Sequence, residues 1–201
     1  MSTRTVSRQY WVAVRAMLVF TAVLGVGYTA VVTGIGQLAL PAQANGSIAH
    51  LDGEAVGSTL IGQSFTDANG DPLPEWFQSR PSAAGDGYDA AASSGSNYGP
   101  ESDELLAAVN DRRESIAELE GVNPDSIPAD ALTASGSGLD PHISADYARL
   151  QVARVADSRG LAESAVRSLV EQSVQGRDLG YLGDPTVNVL ELNIALAELG
   201  E

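Results

Sequence analysis

Hydrophobic and polar positions divide this chain near residue 40. From Ala16 to Leu40, 25 residues pass without a charged side chain. As a helix that run reaches about 37 Å, enough to cross a bilayer with some tilt. Beyond it the patterns become short and periodic. Ala42 to Ala55 is small and polar and reads as a linker, and Ser58 to Phe65 (STLIGQSF) reads as a short strand before the turn cluster Asp67–Pro72. Leu105, Leu106, Val109, Ile116 and Leu119 recur at helical spacing between Ser102 and Glu120. Asp103, Asp111, Glu114 and Glu118 fall on the opposite, solvated face, and Asn123-Pro124 is the expected stop. Ser144 is placed to cap a helix whose buried stripe is Ala148, Val152 and Val155, closed by Gly160. Leu161–Gly176 supplies another helix, with Val166, Leu169, Val170 and Val174 inward. The tail begins with a strand-like Val187–Val189, and Asn188 with Glu191 resembles a capping box for a terminal helix.

These elements predict an α+β fold class: a single N-terminal transmembrane helix, then one compact extracytoplasmic domain of helices and short strands. The expected limits are 1–15 for a cytoplasmic N-terminus, 16–40 for the membrane helix, 41–56 for a linker and 57–201 for the outer domain. Charge sets the orientation. Arg4, Arg8 and Arg15 precede the apolar run with no acid among them, which places the N-terminus in the cytoplasm. The remaining eight arginines face all 26 acids, a formal charge of −18 on the rest of the chain. Such a domain repels phosphate backbones and anionic headgroups, so nucleic acid is not an expected partner. Ala42-Gln43-Ala44 has the form of a signal cleavage site, which would leave a secreted binding protein. The apolar run is longer than a signal h-region, and an uncleaved anchor is expected.

Composition removes whole classes of chemistry. There is no cysteine and no lysine, since all 11 basic residues are arginine. A thiolate site, a Walker A lysine and a Schiff-base lysine are therefore impossible. With His50 and His142 as the two histidines, no metal site is expected. On the membrane helix, Gly27, Ala30, Gly34 and Gln37 form a stripe of small residues ending in an amide, open to a packed partner helix or to chance composition. Val23, one turn earlier, is bulkier and confines the small patch to the outer half of the helix.

The most unusual stretch is Ala134–Ser144 (ASGSGLDPHIS). Gly136 and Gly138 permit backbone geometry closed to other residues, Ser135 and Ser137 can bond neighbouring main chain, and Asp140-Pro141 fixes a turn and starts a helix. A shaped docking loop is one reading. The other is a membrane-anchored hydrolase using Ser135 or Ser137 with His142. Trp76-Phe77 beside Arg80-Pro81 suits either a contact hot spot or the core. Gly85–Pro100 is loop-like, and Ser93–Asn97 (SSGSN) echoes the later SGSG. Neither GxxxxGK[ST] nor GxGxxG is present.

Taken in order, Leu60–Gln63, Arg80–Ala83, Ser93–Asn97 with Gly99-Pro100, Ser135–Ser144, Arg154–Ala156, Arg159-Gly160, Leu182–Pro185 and Val187–Leu190 resemble the KdpC family. These are C subunits of bacterial Kdp potassium-transporting P-type ATPases. Asp184 stands where the family pattern has Glu, and Asp67–Glu75 is longer than usual. The resemblance implies a non-catalytic accessory subunit in the plasma membrane, partnered by a channel-like KdpA, an ATP-hydrolysing KdpB and a small KdpF. It also implies a catalytic-chaperone role that raises the ATP affinity of KdpB through a transient complex with ATP. No other cofactor and no catalytic residue is carried over. Ser135–His142 and the second loop (Arg80, Pro81, Ser93, Gly95, Ser96, Asn97) are expected to dock partners or hold loop shape.

Overall fold

A computed structural model describes residues 3–200, which form two units meeting at Ser47/Ile48. Met1, Ser2 and Glu201, the outer ends of the expected first and last segments, lie outside the described residues.

The first unit is one long helix with a hooked end. Helix α1 (Thr3–Phe20) passes into a π-helical stretch (Thr21–Gly27) and then into α2 (Tyr28–Ala39). The stretch Arg4–Ala39 is long and apolar enough to cross a membrane, with a mean hydropathy of 1.9 in its best window. None of its residues is buried within the unit. Leu40 leaves helical geometry because the following proline disfavours it, and Pro41 opens the short α3 (Pro41–Ala44). Gln37 and Asn45 exchange amide hydrogen bonds of 3.3 and 3.1 Å across this hook.

The second unit opens with a hairpin where a linker was expected. Strand β1 (Ile48–Leu51) pairs antiparallel with β2 (Glu54–Ser58), joined by Asp52-Gly53 with both residues at positive φ. Asp-Gly is the sequence mark of that two-residue turn. The expected strand 58–65 is absent beyond Ser58, where the chain turns to meet the loops described below.

Helix α4 (Asp103–Glu120) is capped by Ser102, whose side chain accepts from the Leu105 amide. It stops at Gly121, in left-handed geometry, and not at Asn123-Pro124. A 3-10 turn (Pro124–Ser126) and α5 (Ala129–Leu132) lead into the Ser135 loop. That loop does not start a helix at Pro141. It enters strand β3 (His142–Ser144), and Ser144 then caps α6 (Ala145–Leu150), which α7 (Val152–Arg159) continues after a turn at Gln151. Helix α8 (Glu163–Ser173) packs back on both, and β4 (Thr186–Asn188) pairs antiparallel with β3. The Asn188 side chain accepts from the Glu191 amide and caps the terminal helix α9 (Val189–Leu199).

The core sits where these elements meet. Ala148, Val152, Val155, Val166, Val170, Val187, Leu192 and Leu196 are all fully buried, so the expected stripes of α6 to α8 face inward and α9 adds its own. Phe77 joins them from the irregular segment before α4, which settles its reading as core. Helix α4 contributes no fully buried residue and lies across the core edge through Val109 and Ile116.

Candidate functional site

Two serine-glycine loops, 44 residues apart in sequence, meet in the second unit. The Ser94 amide donates to the Ser137 carbonyl at 3.0 Å, and the Ser93 hydroxyl donates to the same oxygen at 3.0 Å. Gly95 lies so near Gly136 that an added Cβ would stand 3.0 Å from the Gly136 carbonyl oxygen. Ser82 crosses from a third strand of chain: its hydroxyl donates to Gly138 O at 2.6 Å and accepts from the amides of Ala84 and Tyr88. On the other side the Gly62 amide donates to Leu139 O at 2.9 Å. The sequence signal for Leu60–Gln63 therefore belongs to this cluster and not to a strand.

The two predicted glycines differ. Gly138 has φ +68° and no room: a Cβ would lie 2.6 Å from Ser94 O and 2.7 Å from the Ala84 amide. Gly136 has ordinary φ and open space around its missing Cβ. The close approach at Gly136 is demanded of Gly95, its neighbour across the gap.

Arg80 pins the loop from below. Its Nη1 contacts Asp140 Oδ2 at 2.9 Å and its Nη2 donates to Thr133 O at 3.1 Å, while its buried Nε has no partner among the described residues. Burial pushes the Asp140 carboxyl up, but hydrogen bonds from His142 and the Arg80 charge outweigh it and hold the group below its ordinary value. The Tyr88 phenol donates to Arg80 O at 2.6 Å, and burial pushes its pKa up to about 12. Pro141 is buried, and its carbonyl accepts from the Val189 amide at 3.0 Å, which ties the loop to the start of α9. Pro81 is half-buried beside Arg80, Ser96 is exposed, and Asn97 at φ +54° donates its amide to Gly95 O.

This geometry is wrong for nucleophilic catalysis. The Ser135 hydroxyl accepts from the Gly138 amide at 2.9 Å, and the Ser137 hydroxyl accepts from the Leu139 amide at 3.1 Å. His142 Nδ1 faces Asp140 Oδ1 at 3.5 Å, and neither serine is bonded to the imidazole. A nucleophile needs its base within hydrogen-bond reach, and the loop's groups are spent on loop shape instead. No cluster of candidate metal ligands occurs among the described residues.

Sequence reasoning missed the ties that hold the segment leading to Arg80. The buried Asn193 side chain accepts from the Phe77 amide and donates to the Phe77 carbonyl, at 2.9 and 3.0 Å. Gln151, fully buried, does the same for Gln78 at 2.6 and 3.1 Å. Each amide side chain thus takes the place of a neighbouring strand. Arg154 donates to the carbonyls of Pro74 and Trp76 and pairs with Glu120 at 3.0 Å, the two side chains being 6% and 0% exposed. Burial drives the Glu120 pKa up and Arg154 opposes that rise. The guanidinium of Arg159 lies 4.1 Å over the Trp76 ring and donates to Glu75 O. The only available signal was a polar residue within an apolar stripe, as at Gln151 and Asn193.

On the membrane helix, Gly27, Ala30, Gly34 and Gln37 are exposed, and nothing lies within 4 Å of a Cβ placed on Gly34. Gln37 already bonds Asn45 of its own chain. The π turn, in which the Tyr28 amide reaches Val23 O, widens the spiral just before the stripe. A Cβ on Gly27 would lie 3.6 Å from the Ala22 carbonyl.

An apolar helix long enough to cross a membrane is thus followed by a mixed helix and strand domain whose two serine-glycine loops bind one another. The family model described as K+-transporting ATPase, c chain, matches residues 10–198. The potassium-transporting ATPase KdpC subunit of Kineococcus radiotolerans is 54% identical over 189 residues, covering 94% of this chain and 93% of that one. Those of Mycobacterium tuberculosis and Gemmatimonas aurantiaca are 48% and 53% identical, over 96% and 92% of this chain and 99% and 92% of their own lengths. The chain belongs to the KdpC family, the non-catalytic c chains of potassium-transporting P-type ATPases.

Proposed function

We propose that the chain is a single-pass accessory subunit, its N-terminus cytoplasmic and residues 48–201 outside. It assembles and stabilises a pump with KdpA-like channel, KdpB-like ATP-hydrolysing and KdpF-like small subunits. It raises the ATP affinity of the hydrolysing subunit through contact, with no nucleotide cradle of its own. The observation that carries this reading is that the Ser93, Ser135 and Ser137 hydroxyls are bonded to loop main chain and that Ser93 and Ser94 bond the two loops together at Ser137 O. What the cluster offers a partner is shape. The arginine asymmetry supports the orientation, and the open face at Ala30 and Gly34 supports a partner helix in the membrane.

One experiment tests the orientation and the assembly. The chain has no native cysteine, so Ser2→Cys and the exposed Ser158→Cys are unique handles. In cells co-expressing a tagged ATP-hydrolysing subunit, a membrane-impermeant thiol reagent should label Ser158→Cys and spare Ser2→Cys. The labelled chain should be recovered with the tag in mild detergent, and less of it when Gly34→Leu is added. Labelling of Ser2→Cys alone overturns the orientation, and absence from the tagged complex overturns the assembly role. Unchanged recovery of Gly34→Leu means the stripe faces lipid.

A further inference from the structure

Between α8 and β4 the chain leaves the core as an irregular hairpin arm. Gln175 and Thr186 exchange backbone hydrogen bonds at its base (2.8 and 3.1 Å), and Asp178 and Leu182 do so near its tip (3.0 and 2.9 Å). Every residue from Gln175 to Pro185 is exposed. The tip turns through Leu179 and Gly180, at φ +53° and +83°, and the Tyr181 amide closes it on Asp178 O. Positive φ at both central positions is the geometry of a type I′ turn, whose preferred first residue is Asn or Asp.

Leucine is a poor choice there twice over. Its Cβ is strained in left-handed geometry, and its side chain is 81% exposed to water. Tyr181 (69%) and Leu182 (48%) follow it in the chain and are exposed as well. Nothing inside the domain gains from these side chains, so their use lies outside it.

We propose that this arm is a docking finger whose tip, Leu179, Tyr181 and Leu182, enters an apolar pocket on another protein subunit of the same pump. The inference rests on the assembly reading above. Charge selects the occupant. The stem carries Asp178 and Asp184 against one cation, Arg177, which is paired with Asp184 at 3.0 Å. The domain behind it is strongly acidic. Anionic headgroups repel such a stem, and so does a second acidic copy of this chain. A protein pocket with an apolar floor and a basic or polar rim complements it, with the tyrosine as anchor.

Leu179→Asn separates this role from a structural one, because it supplies the residue the turn prefers. In the co-expressed complex, the full-length variant should keep or raise its melting midpoint while its recovery with the tagged partner falls about tenfold, the effect of one lost anchor. Tyr181→Ser should lower recovery in the same way without altering melting. Normal recovery of both variants overturns the finger, whereas failure to recover the wild-type chain overturns the assembly reading instead. A fluorophore on Leu179→Cys reports the occupant. In vesicles of phosphatidylcholine with phosphatidylglycerol, the chain alone should keep water-like emission, with a blue shift only when partner subunits are present. A blue shift in vesicles of the chain alone, from lipid or from self-association, overturns the proposal.

Discussion

Residues 145–199 and residues 59–101 are both held in the same domain, by opposite means. The first stretch is mostly helical and places Val152, Val155, Val166, Val170, Leu192 and Leu196 out of water. The second has no α-helix or ladder strand, and its fully buried apolar residues are Phe77 and Ala84. It is fixed by side chains reaching in from the helical part: Asn193 and Gln151 clasp Phe77 and Gln78, and Arg154 and Arg159 bind the carbonyls before them. Burial of apolar area is tolerant of detail, since neighbours repack. Polar clasps are not, because each buried backbone group that loses its partner keeps the full cost of leaving water. The irregular half therefore depends on a few side chains of the regular half.

That contrast can be broken most directly at Gln151. Gln151→Leu conserves volume and adds apolar surface, so a purely hydrophobic account expects no loss. It leaves the Gln78 amide and carbonyl unpaired, and the expected cost is about 3 kcal/mol. Thermal unfolding of the full-length chain in detergent checks it. A change below about 0.5 kcal/mol would mean that the clasp is dispensable.

The loop cluster sharpens the same point at two glycines. Gly138→Ala combines left-handed strain with overlap against Ser94 and Ala84, and should cost about 2–3 kcal/mol. Gly136→Ala meets nothing and should stay within about 0.5 kcal/mol. Equal effects at both sites would show that loop motif, and not local packing, governs the cluster.

A smaller effect separates the two carboxylates. Asp140 is held below its ordinary pKa, so its hydrogen bonds from His142 and its tie to Arg80 stabilise the fold above the ordinary carboxylate range and are lost as pH falls through the lower folded value. Glu120 is shifted the other way, so its protonation on acidification favours the fold. Asp140→Asn should cost about 1 kcal/mol at neutral pH, and the gap to wild type should close as pH falls below the ordinary carboxylate range. A gap independent of pH would remove the ionic part of that tie.

Much of the helical half was legible. The buried stripes of α6 to α8, the Ser144 and Asn188 caps and the end at Gly160 follow from periodicity and capping chemistry, which are local. The β1–β2 hairpin was legible too, in Asp52-Gly53, but its small polar strands resemble a linker. The end of α4 was misplaced because Gly121 stops the helix before the proline can. The kinship of the two serine-glycine loops could be seen as an echo in sequence, while their contact could not.

By itself the sequence determined the apolar run long enough to cross a membrane, the acidic remainder of the chain, most of the helices and the family, because each rests on composition, period or an ordered set of local motifs. Tertiary structure alone decided that Gly95 and not Gly136 must be small, that Ser135 and Ser137 are consumed by loop amides, and that Gln151 and Asn193 serve as strand partners. Those facts depend on which distant atoms meet within 3 Å. No periodicity along a chain encodes a partner 44, 73 or 116 residues away.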